Sequence, residues 1–214
     1  MDMDMEKINL LIKRYPQLSS IRENIVRAYE VLVSAYRDSK KLLIAGNGGS
    51  AADAEHIVGE LMKGFKSGRP INNSFRETLI AIDEERGKAL AEKLQETLRA
   101  INLANHPGLN TAFANDVDAS MCFAQQVMGY GDNGDVFLGI STSGNSDNVI
   151  KAAITAKALG LKVIVLTGEK GGSLSELADV AINVPERETY KVQELHLPIY
   201  HCLCLMLEEE LFNH

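Results

Sequence analysis

His56 and Glu60 stand four residues apart in a stretch whose pattern predicts a helix. At this spacing the imidazole and the carboxylate project from one helix face, where they can bind one metal ion or contact one substrate. The pair by itself is a weak signal, because such a pair on a helix is more often a solvated ion pair. Its meaning depends on which other polar groups the fold brings to it.

A second group of polar side chains lies in an otherwise apolar segment near the carboxyl end. Residues 189–212 are predicted to form one helix, which carries Gln193, His196 and His201. Gln193 and His201 are eight residues apart, a rise of about 12 Å on a straight helix. They can share one ion only if the helix start is distorted, the glutamine reaches far, or a second copy of the chain contributes. His196 is interpreted as a histidine on the helix face with no special task.

A glycine-rich turn precedes the helix of His56. Residues 42–44 are an apolar run that predicts a buried strand, residues 46–50 (GNGGS) reverse the chain, and a helical pattern begins at Ala51. Such a turn directs backbone N–H groups and a helix dipole at an anion such as phosphate. The spacing matches neither the P-loop nor the dinucleotide-binding pattern. Glycines also form turns with no ligand, so this signal needs support from elsewhere in the chain.

That support comes from a hydroxyl-rich turn at residues 141–146 (STSGNS). It follows an apolar strand predicted over residues 136–140 and precedes a helix predicted to end at Ala158. Hydroxyls and backbone N–H groups can surround a phosphate without a net positive charge. Serine and asparagine also favour such a turn for local reasons, as caps. Four hydroxyls exceed what a cap needs, and the phosphate interpretation is therefore preferred.

Strands and helices alternate through the rest of the carboxyl-terminal half. Strands are predicted over residues 162–167 and 180–184, with a turn at 168–172 and a short helix at 174–177. This alternation is typical of a parallel sheet covered by helices on both faces. Ligands in such folds lie beyond the carboxyl ends of the strands, where both turns are expected.

The first 38 residues are predicted to form two helices separated at Pro16, with Ser19 or Ser20 as the N-cap of the second. The second helix has a wide apolar stripe. Such a stripe can pack on the chain's own sheet or on another copy, and the sequence leaves both open. The stripe comprises Ile21, Ile25, Ala28, Tyr29, Leu32 and Val33.

The middle of the chain is less regular. Residues 67–97 are interpreted as an inserted segment that forms a surface helix or a helix pair, with good helix formers over 77–98 and Gly87 as a weak point. A short strand at residues 99–104 and a turn at 105–109 are predicted next. Asn115 and Asp116 then precede a helical run over residues 119–128.

Composition limits the function classes. A chain of 214 residues suffices for one domain, and its formal charge of −7 argues against a broad nucleic-acid surface. The three cysteines, Cys122, Cys202 and Cys204, lack zinc-ribbon spacing and are predicted to be buried free thiols. With neither a basic, cleavable leader nor an apolar run of membrane length, the chain is expected to be cytoplasmic.

Together these motifs resemble the phosphoheptose isomerases of the sugar isomerase (SIS) domain superfamily, over nearly the whole chain. The resemblance implies one SIS domain over residues 1–214, a flavodoxin-like α/β/α sandwich with a mostly parallel five-stranded sheet and N-terminal helices over residues 1–38. The matching segments are GNGGSAADAEHIVGEL at 46–61, AND at 114–116, GDVFLGISTSGNSDNVIKA at 134–152, VIVLTG at 163–168 and VQELHLPIYH at 192–201.

The resemblance also implies a role for each candidate residue. The zinc ligands would be His56, Glu60, Gln193 and His201, with one ion per subunit. The sugar phosphate would be bound by Asn47, Gly48, Gly49, Ser50, Glu60, Asn115, Asp116, Ser141, Thr142, Ser143, Ser146 and Gln193. Glu60 and His201 would also be the acid/base pair for an enediol proton transfer. The relatives imply a homotetramer with sites at subunit interfaces.

The expected reaction is the interconversion of sedoheptulose 7-phosphate and D-glycero-D-manno-heptose 7-phosphate. Two alternatives stay open: an isomerase of another phosphosugar, and a non-catalytic SIS module that binds a phosphosugar or a replication-initiator protein. The segment 67–97 lengthens the chain relative to compact members, which leaves the sugar open. Tyr190 also stands where some relatives carry an acid three positions before the glutamine.

Overall fold

A computed structural model describes the backbone of residues 2–212 and the side chains of residues 6–212. The strands of this part are β1 (Leu42–Gly46), β2 (Ala100–Asn102), β3 (Val136–Ser141), β4 (Lys162–Thr167) and β5 (Val180–Asn183). The α-helices are α1 (Asp2–Arg14), α2 (Arg22–Arg37), α3 (Gly49–Met62), α4 (Asn73–Ile82), α5 (Glu84–Lys93), α6 (Pro107–Phe113), α7 (Cys122–Tyr130), α8 (Asp147–Ala158), α9 (Gly172–Leu177) and α10 (Thr189–Phe212). Within residues 2–212, no helix combines the length and the apolar character needed to cross a membrane.

The five strands form one sheet in the order β2-β1-β3-β4-β5, and every pairing is parallel. The predicted α/β fold with a five-stranded parallel sheet is confirmed. The strand order is that of flavodoxin-like folds, in which the chain runs outwards in both directions from the crevice between β1 and β3. In the register, Gly46 of β1 pairs with Ile140 of β3. The glycine turn and the serine turn are therefore neighbours at the same edge of the sheet.

Helices cover both faces of the sheet, because both faces of the central strands are apolar. Every residue of β1 and β3 is buried. Ile44 belongs to a core cluster with side chains of α1, α2, α3 and α10, whereas Leu43 belongs to a second cluster with α7 and α8. This alternation of side chains across a strand gives the three layers of the sandwich.

The apolar stripe of α2 packs inside the chain. Ile25, Ala28, Tyr29, Leu32 and Val33 are buried and belong to the core cluster with the sheet and α10. Because the stripe is buried within one chain, it gives no evidence for contact with a second copy. The predicted N-cap at Ser19 or Ser20 is wrong, because both serines lie in a 3₁₀ segment over Pro16–Ile21 and α2 begins after Ile21 without a side-chain cap.

The middle segment forms a helical hairpin, the helix pair that was one of its two predicted forms. Asp83 ends α4 and caps α5, where its carboxylate accepts a hydrogen bond of 2.8 Å from the N–H of Arg86. Gly87 is therefore not the break: it is buried where α5 approaches α4, and a Cβ there would collide with the carbonyl oxygen of Leu79. The predicted turn at 105–109 is also partly wrong, since α6 begins at Pro107, which is well suited to a first helical position.

A buried ion pair fixes the end of α3. The carboxylate of Glu208 on α10 accepts hydrogen bonds of 2.7–3.1 Å from the N–H groups of residues 65–67 and one of 2.9 Å from Nε of Arg69. Arg69 in turn donates to the carbonyl oxygens of Leu61 (2.7 Å) and Glu60 (3.3 Å). The Arg69 side chain is 0% exposed and that of Glu208 is 3% exposed. The pair ties the backbone of Glu60 to the carboxyl-terminal half of α10.

Candidate active site

The glycine turn at residues 46–50 joins β1 to α3. Gly48 has a φ of 56°, a conformation that favours glycine. At Gly46 a Cβ would lie 2.6 Å from the carbonyl oxygen of Ser50, so the first turn of α3 can close tightly onto the end of the strand. Asn47, Gly48 and Gly49 are exposed at the mouth of the crevice, whereas Ser50 is buried.

The serine turn at residues 141–146 joins β3 to α8. Ser141 Oγ and Ser146 Oγ are 2.9 Å apart, and Ser146 makes no side-chain cap at the start of α8. Its hydroxyl is thus committed to the turn rather than to the helix. Gly144 (φ 67°) touches the backbone of the next turn, because a Cβ there would overlap the carbonyl oxygen of Gly171. Exposed Ser143 accepts a hydrogen bond of 3.1 Å from the N–H of Asn145.

The two turns are bridged by a pair of amide side chains. Asn47 Nδ2 donates to Asn148 Oδ1 at 2.9 Å, and Asn148 Nδ2 donates back to Asn47 Oδ1 at 2.9 Å. Sequence reasoning missed Asn148, which lies in the first turn of α8, two residues after Ser146. The sequence pointed to Asn148 only through its position in the segment 134–152, because no regular spacing relates it to Asn47.

His56, Glu60 and His201 lie together on α3 and α10. His56 Nε2 is 3.3 Å from Glu60 Oε1 and 3.3 Å from Nε2 of His201. The fold thereby brings two residues of one predicted helix to a third that is 145 positions away from His56. Burial, with a smaller contribution from the charge of His56, lowers the pKa of His201, while Glu60 opposes the shift. A lowered pKa keeps the His201 imidazole neutral, as a metal ligand or a general base must be.

Gln193 does not join this trio within one chain. Its amide packs on the start of α3, where a Cβ at Gly49 would collide with Gln193 Nε2. Gln193 therefore lies beside the glycine turn, and about 12 Å of helix rise separates it from His201. Of the four candidate metal ligands, three are in contact and the fourth is in the crevice beside the turn.

Within residues 6–212, no three His, Cys, Asp or Glu side chains already surround a point that would hold a metal ion. The two contacts of His56 nevertheless have the spacing of ligand atoms. Two atoms bound about 2.0 Å from a tetrahedral zinc ion are about 3.3 Å apart. The pairwise distances of 3.3 Å therefore fit a shared ion, although the trio as a whole does not yet enclose one.

Tyr200 and Asp53 stand behind His56, and sequence reasoning missed both. The Tyr200 hydroxyl donates to Asp53 Oδ1 at 3.2 Å and is 3.1 Å from Nδ1 of His56. Burial raises the pKa of Asp53, opposed by the hydrogen bond from Tyr200 and the charge of His56. Burial, followed by the nearby Asp53 carboxylate, raises the pKa of Tyr200 far above its usual range. Tyr200 precedes His201 directly, and this adjacency was the only sequence signal.

His196 lies on a buried face of α10 and makes a contact that the sequence did not predict. Its side chain is fully buried, and its Nε2 lies 3.3 Å from the carbonyl oxygen of Thr167 at the end of β4. Burial lowers the pKa of His196 to about 4, against the effect of that hydrogen bond. The imidazole is therefore neutral and braces the end of β4 against α10.

Asn115 and Asp116 lie in a π-helical turn over Ala114–Asp118, between α6 and α7. Both side chains are exposed, and Asn115 Nδ2 donates to Asp116 Oδ1 at 2.8 Å. Their side chains thus pair with each other at the surface. The three cysteines are free and buried, as predicted.

Comparisons with known proteins identify the family and support the fold. Family models described as the SIS domain match residues 6–99 and 109–206. A phosphoheptose isomerase of Sulfurimonas denitrificans is 37% identical over 195 residues, which cover 89% of this chain and 87% of the relative. The structure of a phosphoheptose isomerase from Neisseria gonorrhoeae superposes with a TM-score of 0.73, at 31% identity and 94% coverage of both chains. One from Francisella tularensis gives 0.75, at 29% identity, over 96% of this chain and 98% of that chain.

Proposed function

The chain belongs to the phosphoheptose isomerase family of SIS-domain proteins, and we propose that the crevice between its two turns and α10 is where it acts. The enzyme converts sedoheptulose 7-phosphate to D-glycero-D-manno-heptose 7-phosphate. The observation that carries the location is the pair of 3.3 Å contacts that His56 makes with Glu60 and with His201, where α10 packs on the helix that begins at the glycine turn. Glu60 lies about 16 Å of helix rise beyond Gly49, so a second copy of the chain would have to bring the anion-binding edge to the proton-transferring groups.

The serine turn holds the phosphate in this proposal. Hydroxyls of Ser141, Thr142, Ser143 and Ser146, with the N–H groups at the start of α8, offer donors without a positive charge. Support comes from Ser146, whose hydroxyl is directed to Ser141 at 2.9 Å instead of capping α8. The glycine turn and the exposed side chain of Asn47 then face the sugar chain.

Ser146→Ala is expected to raise the KM for the sugar phosphate about tenfold or more, because a hydrogen bond to a charged group contributes about 1.5–3 kcal/mol. The kcat stays unchanged, since the lost interaction is made equally in the ground state and the transition state. Steady-state kinetics measure both constants. Ser34→Ala, at an exposed position of α2, is the matched control and changes neither. An unaltered KM in Ser146→Ala removes this serine from the phosphate site.

The reaction moves a proton between adjacent carbons through an enediol. Glu60 is the group that takes the proton from carbon, and its side chain is 14% exposed, so that little water competes for it. His201 exchanges protons with the sugar oxygens, for which its lowered pKa favours the neutral base. The two groups are neighbours of the same side chain, His56, which lies 3.3 Å from each of them.

A zinc ion fits the chemistry of this donor set. His56, Glu60 and His201 would hold it, since two imidazoles and a carboxylate are common zinc ligands and their spacing is suitable. Gln193 is the proposed fourth ligand, and it would have to approach from its position at Gly49. When bound, zinc supplies Lewis-acid polarisation of the carbonyl. The protein residues orient the substrate and carry the protons.

We further propose a homotetramer with active sites at subunit interfaces. A groove of about 470 Å³ extends from His201 along α1 and α10, and it is lined in part by Leu10 and Leu197. These two side chains are 51% and 40% exposed. A second subunit on this groove would cover them and close the site. Sedimentation of the purified protein as a monomer would contradict this assembly.

The direct test of function is incubation of purified protein with sedoheptulose 7-phosphate, before and after treatment with a chelator. The aldose product is expected before treatment, and its rate is expected to fall on chelation and return when zinc is added. Other phosphosugars are compared by rate in the same assay. Absence of aldose product under every condition contradicts the isomerase function, and faster turnover of another phosphosugar contradicts the assignment of the heptose.

A further inference from the structure

The Tyr200 hydroxyl occupies the space between a carboxylate and the inner nitrogen of His56. It lies 3.2 Å from Asp53 Oδ1 and 3.1 Å from His56 Nδ1. Tyr200 is 2% exposed, so no bulk solvent replaces either partner. The rings of Tyr200 and His56 meet edge to face with centroids 5.5 Å apart. The tyrosine therefore fixes the plane of the imidazole as well as one of its hydrogen bonds.

The direction of the protons in this chain follows from the chemistry of its members. A carboxylate only accepts hydrogen bonds, so the single hydroxyl proton of Tyr200 points to Asp53. The tyrosine oxygen can then only accept from His56, which requires a proton on Nδ1. A neutral imidazole with a proton on Nδ1 has its lone pair on Nε2.

We propose that Asp53 and Tyr200 are positioning residues that hold His56 in the Nδ1-protonated tautomer and so direct the Nε2 lone pair at Glu60 and His201. The consequence for a metal rests on the proposed function, but the tautomer itself does not. Nε2 of His56 and Oε1 of Glu60 are then two acceptors only 3.3 Å apart. Such a pair is stable when a cation or a proton lies between the two atoms, as a zinc site requires.

A purely structural role for Asp53 fits the observations poorly. Its second oxygen, Oδ2, is buried without a hydrogen-bond partner, which costs about 1–3 kcal/mol. The carboxylate has no ion pair with a lysine or arginine among the described residues. Stability alone would favour an apolar side chain at this position. The half-satisfied carboxylate is explained by its effect on Tyr200 and His56.

The tautomer is measured directly by ¹⁵N NMR of the histidine side chains in metal-free protein, with the His56 signals assigned from a His56 variant. The wild type is expected to show Nδ1 protonated and Nε2 unprotonated. In Asp53→Ala the hydroxyl of Tyr200 loses its acceptor and turns to Nδ1, which moves the imidazole proton to Nε2. Asp53→Asn keeps an acceptor oxygen and is expected to keep the wild-type tautomer.

Zinc affinity, measured by competition with a chelator, gives a second readout. Tyr200→Phe is expected to weaken binding about 10- to 100-fold, the usual effect of removing the partner of a ligating histidine. Asp53→Ala is expected to weaken it further, because the wrong tautomer is then actively stabilised. The double variant Asp53→Ala/Tyr200→Phe should bind zinc more tightly than Asp53→Ala alone. Tyr130→Phe, whose ring contacts His106 instead, is the matched control and leaves affinity unchanged.

The proposal is overturned if the His56 tautomer is the same in the wild type and in Asp53→Ala, or if the double variant binds zinc no better than Asp53→Ala. Melting curves check that each variant is folded. If Asp53→Ala does not fold, the other two variants test the proposal. Tyr200→Phe should still weaken zinc binding, and Asp53→Asn should still keep the wild-type tautomer; the opposite result in either overturns the proposal. Failure of the isomerase assay leaves the tautomer result intact, so the two hypotheses fail separately.

Discussion

Glu60→Gln is expected to lower the kcat for sedoheptulose 7-phosphate by about 100- to 10,000-fold, the usual contribution of a positioned general base. The amide keeps the size and shape of the carboxylate but cannot take a proton from carbon. Its Oε1 can still occupy the position 3.3 Å from His56 Nε2, and the backbone of residue 60 stays fixed by Arg69. Steady-state kinetics of the purified variant measure the loss.

Because Glu60 is also a proposed zinc ligand, the loss of a ligand must be separated from the loss of a base. The kinetics are therefore repeated at saturating zinc, with bound metal measured in the same samples. A lowered kcat that persists when the variant is fully loaded with zinc is caused by the loss of the base. Glu30→Gln, at an exposed position of α2, is the control for the chemical change and should retain full activity. Full activity of Glu60→Gln would show that another group takes the proton.

Glu208→Ala is expected to lower the free energy of unfolding by about 3–5 kcal/mol, because it leaves the buried guanidinium of Arg69 without its anion. The same change removes the acceptor of three backbone N–H groups at residues 65–67. Urea unfolding of the metal-free protein measures the difference. Glu209→Ala, at the next position of α10, removes a partly exposed pair with Lys7 and should cost less than about 1 kcal/mol.

A double variant tests how the pair stabilises the chain. When both members of a simple buried ion pair are replaced by apolar residues, the free energy of unfolding often stays the same. Here Arg69→Met/Glu208→Leu should remain destabilised, since the N–H groups of residues 65–67 still lack an acceptor. Full recovery in the double variant would mean that those backbone hydrogen bonds contribute little.

The Glu208 carboxylate also predicts how the free energy of unfolding changes at acidic pH. Burial opposes its ionisation, but the N–H donors of residues 65–67 and Arg69 outweigh burial and lower the pKa of Glu208 below its ordinary value. A lowered folded-state pKa gives stability that is complete above the unfolded pKa and is lost as the pH falls through the folded value. The wild type should therefore lose this contribution below about pH 4.5, whereas Glu208→Ala lacks it at every pH.

The sequence determined the elements whose signals are local. The strand at Lys162–Thr167 and the helix ending at Ala158 lie where apolar runs and periodicity predicted them, since neighbouring residues encode them. The two turns could be recognised because glycines and hydroxyls follow predicted strands, and the parallel order then places both turns at one edge. The motifs at residues 46–61 and 192–201 indicated the family, which the comparisons confirm.

The tertiary structure alone decided the partners of side chains that no motif had linked. Arg69 and Glu208 are 139 positions apart, and Tyr200 and Asp53 are 147 apart, so no periodicity relates them. The family resemblance grouped His56 with His201, but only the packing of α10 on α3 shows that Gln193 lies at Gly49 and apart from the other three candidate ligands. The physical reason is that backbone propensity acts over a few residues, whereas a side chain's partner depends on how whole elements pack in three dimensions.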